Sequence, residues 1–186
     1  FGGILSFMRR NYSKDLVDVD IAITGVPFDQ AVTNRPGSRF GPRAIREAST
    51  LQPCDPPYGW DINPLEDFDI VDYGDLAFDY ANVAAFPEQL TDHIRGILKH
   101  ECGALSFGGD HYITFPILRA FAEKFGPVAL VHFDAHSDTW PDDDMNRIDH
   151  GTMFYKAVKE GLIIPEKSVQ IGIRTQNDYD AGVHVI

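Results

Sequence analysis

Val128-Ala129-Leu130-Val131-His132-Phe133-Asp134-Ala135-His136-Ser137-Asp138 is an apolar run that leads without interruption into Asp-x-His-x-Asp. Five or more apolar residues with β-branched members, followed at once by polar ones, read as a buried strand delivering side chains to its C-terminal end. An extended backbone has period two, so the pattern predicts that Asp134, His136 and Asp138 share a face. Two carboxylates and an imidazole gathered at one strand end repel or compete unless a cation lies among them. A divalent metal is the economical explanation, and mixed oxygen and imidazole donors suit Mn²⁺, Zn²⁺, Fe²⁺ or Co²⁺. The competing reading is a polar loop whose aspartates cap backbone amides.

Further apolar runs occur at Val19 to Ile23, Phe68 to Val71, Ala104 to Phe107 and Val169 to Ile173. Helical periodicity fills Pro42 to Ala48, Phe86 to Leu98, Ile113 to Lys124 and Met153 to Glu160. Strands that alternate with helices predict a parallel sheet covered on both faces, an α/β architecture of three layers with its ligand site at the strand C-termini. Gln52 to Pro64 carries four prolines and reads as a loop, and Val183 to Ile186 opens as another strand. One domain over residues 1–186 is the expectation for this length.

The 186 residues carry 16 basic and 28 acidic side chains, a net charge of −12, with 44% hydrophobic residues. That surface repels phosphate backbones, so nucleic acid is excluded as a partner. No run approaches the ~20 apolar residues of a membrane helix, and the N-terminus lacks a signal-peptide pattern. Cys54 and Cys102 form no Cys-x-x-Cys pair. A reduced, cytoplasmic protein is therefore expected.

Ser106-Phe107-Gly108-Gly109-Asp110-His111 places a second chemical motif at a strand end. The glycines permit a tight turn, His111 projects toward the same sheet edge as Asp134, and Asp110 has the ordinary task of capping the next helix. Asp149-His150-Gly151-Thr152 precedes another helix, and an imidazole there can carry protons near a metal or simply face solvent. His93 and His100 are expected on an exposed helix, His132 in the core, and Asp142-Asp143-Asp144 in a solvated loop.

With these motifs, Gly25-Val26-Pro27-Phe28-Asp29 and Gly37-Ser38-Arg39-Phe40-Gly41-Pro42-Arg43-Ala44-Ile45-Arg46 make the chain resemble the ureohydrolases, the arginase and agmatinase family, almost end to end. Ser106 to His111, Leu130 to His136 and Asp149 to Tyr155 look like bacterial agmatinase rather than arginase. The resemblance implies an arginase-like sandwich and a binuclear manganese site held by His111, Asp134, His136 and Asp138, with Asp134 and Asp138 bridging. It implies that His150 is the catalytic histidine that meets the substrate guanidinium. It further implies hydrolysis of agmatine to putrescine and urea by a metal-bridging hydroxide, in a homo-oligomer, trimeric or hexameric. The family's Asp-x-Asp strand and its later substrate-binding glutamate have no counterpart here, so the C-terminal part of the fold is missing and these residues alone are expected to be inactive. The alternatives are a guanidinobutyrase or other guanidino-acid hydrolase, with Arg147 meeting the carboxylate, and a non-catalytic metal-binding fragment.

Overall fold

The computed structural model describes residues 3–179 and 181–186. Seven strands and five α-helices lie among the described residues, alternating over residues 70–171. Strands β1 (Asn11–Tyr12), β2 (Ile21–Gly25), β3 (Ile70–Asp75) and β4 (Gly103–Phe107) form one parallel sheet in the order β1-β3-β2-β4. Strands β5 (Val131–Phe133), β6 (Val169–Ile171) and β7 (His184–Val185) form a second parallel sheet in chain order. The expected single sheet is thus two sheets among the described residues, with β4 and β5 both terminal strands. Apolar side chains lie exposed on them, Leu105 at 44% and Phe133 at 75%.

The connecting helices are α1 (Gly41–Ser49), α2 (Pro64–Asp67), α3 (Phe86–Leu98), α4 (Thr114–Phe125) and α5 (Met153–Lys159). Their apolar stripes make the core: Phe86, Leu90, Ile94 and Ile97 of α3 pack with Phe115 and Leu118 of α4 and with Met153 and Phe154 of α5. Phe28 stacks on Phe86 with ring centroids 3.9 Å apart and planes 9° from parallel. Asn63, at the end of the proline-rich loop, caps α2 by accepting from the Leu65 N–H at 3.2 Å. Gly126, with φ at 75°, ends α4 in a conformation that side chains resist.

The glycine-bearing motifs of the sequence are packed against one another. A Cβ at Gly109, where φ is 84°, would lie 2.5 Å from the carbonyl oxygens of both Val26 and Phe28. A Cβ at Gly41 would lie 2.3 Å from the Gly108 carbonyl oxygen. The chain after β2, the start of α1 and the turn after β4 therefore interlock through backbone, which only glycine permits. The Asp110 N–H completes the junction by donating to Phe28 O at 2.7 Å.

The charged residues of the same segments close on each other. Arg46 donates to both Asp72 oxygens, at 2.7 and 2.9 Å, and also reaches Asp75. Burial alone lowers the Arg46 pKa and raises the Asp72 pKa, but hydrogen bonds outweigh it, from Asp72 and Asp75 on Arg46 and from Arg46 and the Phe7 and Gly74 N–H groups on Asp72, so the pair is held ionised. Asp29 accepts from Arg39 Nε at 2.7 Å and from the Gly37 N–H at 2.7 Å.

Candidate metal centre

Strand β5 ends at Phe133, and the chain that follows is the candidate site. Asp134 begins a turn in which its Oδ1 accepts from the His136 N–H at 2.9 Å. Asp138 adopts φ of 50°, in the left-handed region, which breaks the period-two alternation assumed from sequence. Asp134 and Asp138 still converge, but His136 turns outward, its side chain 65% exposed, with Nδ1 3.3 Å from Asp134 Oδ1.

The turn after β4 brings in His111. Asp110 caps the 3-10 turn His111–Ile113 by accepting from the Tyr112 N–H at 2.8 Å, the role expected for it. His111 Nδ1 then lies 2.8 Å from Asp138 Oδ2 and 3.5 Å from Asp134 Oδ2. Four ligand-type atoms, from His111, His132, Asp134 and Asp138, fall within 4.8 Å of one another. His132 is buried as expected of a core residue, yet its Nε2 is 3.4 Å from Asp134 Oδ2, so it belongs to this group as well.

Burial works to raise the Asp134 pKa, but the His136 N–H and the imidazoles of His111 and His132 outweigh it and hold the group below its ordinary value. For His132 burial dominates, reinforced by His111, and lowers the imidazole pKa against the opposing pull of Asp134 and Asp138. A deprotonated carboxylate beside a neutral imidazole is the protonation state that metal ligation needs. The donor set fits a divalent cation that accepts oxygen and nitrogen donors.

His150 lies near this group rather than in it. Its Nδ1 is 3.3 Å from Asp110 Oδ2, and Asp110 is nearly fully buried, so one carboxylate both caps the His111 turn and meets His150. The loop before it differs from the solvated segment expected. Asp142 faces the fully buried Lys156 of α5 at 3.1 Å and Arg147 at 3.7 Å, and Lys156 Nζ also donates to Arg147 O at 2.7 Å. Buried charge must be paired, which explains the fixed loop; Asp143 and Asp144 remain exposed.

His93 also departs from expectation. It is half-buried on α3, Nε2 lies 2.8 Å from Thr24 Oγ1, and burial with the nearby Lys14 lowers its pKa to about 4. His100 is exposed, as expected. A concavity of about 940 Å³ lined by Ile4, Arg9, Arg10 and Leu51 contains none of the cluster residues.

Residues 19–185 match the Arginase family. The chain belongs to that family. It is 56% identical over its whole length to an agmatinase of Chromobacterium violaceum, of which it spans 58%. A crystal structure of a hypothetical agmatinase from Burkholderia thailandensis superposes with a TM-score of 0.95 at 50% identity, covering all of this chain and 58% of that one. The proclavaminate amidino hydrolase of Streptomyces clavuligerus gives 0.90 at 38% identity, with 63% of its chain covered. The arginase-like α/β architecture read from the sequence is thereby established, and the chain spans about three fifths of the length of these relatives. No described helix is long and apolar enough to cross a membrane.

Proposed function

We propose that this chain is the metal-binding part of a manganese-dependent agmatinase, which hydrolyses agmatine to putrescine and urea. The observation that carries the reading is the convergence of Asp134, Asp138 and His111 beyond β5, in a chain 56% identical to an agmatinase. His111, Asp134, His136 and Asp138 are the proposed ligands, His136 by rotation of its exposed side chain. Two bound cations would supply a nucleophilic water at neutral pH and polarise the guanidinium carbon's surroundings.

The chain's own residues then have separate tasks. Asp134 and Asp138 offer anionic oxygens and keep the local potential negative, which attracts a cationic guanidinium. His150, oriented by Asp110, holds or moves a proton at its Nε2, the nitrogen left free by the Asp110 contact. Four ligands with two anionic members are few for two divalent cations, so further ligands come from the relatives' remaining length. The uncovered strands β4 and β5 are where that length would pair, completing the wall around the cluster. A cytoplasmic homo-oligomer is part of the same proposal.

Hydrolysis of a guanidino acid is the second reading, favoured by the 38% identity to the amidino hydrolase. Arg147, its expected carboxylate partner, instead faces Asp142, which favours agmatine. Urea release by the complete gene product with Mn²⁺ separates these readings. Agmatine turnover well above that of guanidinobutyrate supports the proposal, guanidinobutyrate turnover above agmatine selects the second reading, and no urea from either makes the chain a non-catalytic metal-binding fragment.

A further inference from the structure

The sheet register sets His132 and Gln170 side by side, because β5 and β6 are parallel neighbours with His132 paired to Gln170. In a strand, residues two apart share a face, so His132 on that face also precedes Asp134 by one step of the pleat. Gln170 is fully buried, and its side-chain nitrogen lies 2.6 Å from the carbonyl oxygen of Ser137. A carbonyl can only accept, so the atom facing it must be the amide NH₂ and not the amide oxygen. That same nitrogen is 3.1 Å from His132 Nδ1. Each of its two protons therefore has one acceptor, Ser137 O and His132 Nδ1.

An Nδ1 that accepts carries no proton, which in a neutral imidazole places the proton on Nε2. Nε2 is buried and has no hydrogen-bond partner among the described residues, and Asp134 Oδ2 lies 3.4 Å from it, a close contact rather than a hydrogen bond. Turning the ring over would set carbon atoms against both Gln170 and Asp134 and lose both interactions. The Phe154 ring, with its centroid 4.7 Å from that of His132, and the His111 ring at 5.2 Å pack beside it.

We propose that Gln170 fixes His132 as its Nε2–H tautomer, with the protonated nitrogen set beside Asp134 Oδ2, which makes His132 a positioning residue for that carboxylate and not a metal ligand. The four-atom grouping of His111, His132, Asp134 and Asp138 is then three ligands and one donor that orients a ligand. Neutral imidazole ligates through an unprotonated nitrogen, and the only unprotonated nitrogen of His132 is already occupied by Gln170. The tautomer claim stands on the hydrogen-bond geometry alone, while its consequence for metal binding rests on the manganese reading above.

The test is imidazole ¹⁵N–¹H correlation NMR on the metal-free protein, followed by Mn²⁺ titration. The wild type should show His132 protonated on Nε2. Gln170→Glu, whose carboxylate can only accept, should move the proton to Nδ1, and Gln170→Met should give a mixture of tautomers. A wild-type His132 protonated on Nδ1, or an unchanged Nε2–H in Gln170→Met, overturns the proposal, and the wild-type spectrum decides it even where a variant fails to fold. Gln170→Met and His132→Phe should each weaken Mn²⁺ binding about 10- to 100-fold at unchanged stoichiometry, the range typical of groups that orient a ligand. Loss of one bound ion in His132→Phe would make His132 a ligand, and unchanged affinity in both would remove the positioning role. A complete gene product that binds no Mn²⁺ refutes the manganese reading and with it that role, while the tautomer result is read independently.

Discussion

The two sheets handle buried charge in opposite ways. Around the first, two buried carboxylates meet guanidiniums: Asp72 is bound by Arg46 through two hydrogen bonds, and Asp29 by Arg39. Beyond β5, the side chains that meet Asp134 and Asp138 are imidazoles, with no guanidinium or ammonium among them, and burial lowers the pKa of one of these, His132. The difference teaches that the first set is complete without a ligand and that the second lacks a positive charge. The motif around Arg39 and Arg46, which contributes much to the family resemblance, therefore has a structural part in this fold, and the proposed chemistry is placed on the turn after β5.

The comparison breaks most visibly at His150. In the complete, manganese-loaded protein, His150→Ala should lower turnover by about 10²- to 10⁴-fold while retaining its metal, the range for removal of a general acid or base. Metal analysis with a urea assay checks both halves; loss of metal would move His150 into the ligand set, and a drop below about tenfold would return it to a helix-start role.

Stability should separate the two kinds of carboxylate. Asp72→Asn leaves Arg46 buried with a weakened partner and should cost about 3–5 kcal/mol. Asp138→Asn in metal-free protein relieves an uncompensated carboxylate and should change stability by less than about 1 kcal/mol. Denaturant melts of the two variants decide this, and equal losses would erase the distinction.

His93 sharpens the contrast from the packed side. Its pKa is about 4 in the folded protein against an ordinary 6.5, so the unfolded chain binds more protons between those values. Stability is thus fully present above about pH 6.5 and falls as the pH drops toward 4, by about 2 kcal/mol after allowing for the ring's partial contact with water. His93→Gln should flatten that part of the pH–stability curve; an unchanged slope would assign the acid sensitivity elsewhere.

The smallest effect concerns the acidic loop. With Asp142 tied to Lys156, Asp143 and Asp144 are the exposed carboxylates of this loop that would attract the proposed cationic substrate. Replacing both by Asn should raise the KM for agmatine about two- to threefold, with the effect shrinking at high salt. Substrate kinetics at two ionic strengths check it.

Much of this was legible in the sequence for identifiable reasons. The helix Phe86–Leu98 coincides with its apolar periodicity, and β4 and β6 lie within a few residues of their apolar runs. Strand β1 was not legible, because two residues paired to β3 carry no periodic pattern. The ligand motif was visible, but its geometry was not: period two fails where Asp138 takes a positive φ, and His136 turns away from the place assigned to it. His132 passed for an ordinary core residue because its partner Gln170 lies 38 positions along the chain and meets it only through strand register. Lys156 lies on a helix whose lysines look like surface residues, and nothing local to His93 marks Thr24 as its partner, so neither burial is legible.

Mn²⁺ binding followed by electron paramagnetic resonance tests most directly the proposal that the carboxylates beyond β5 ligate a divalent cation. The complete protein should bind Mn²⁺ and its Asp138→Ala variant should lose more than about 100-fold in affinity, beyond the range of groups that only orient ligands, while Asp29→Asn should bind as the wild type does. Equal Mn²⁺ binding by the wild type and Asp138→Ala would contradict the account.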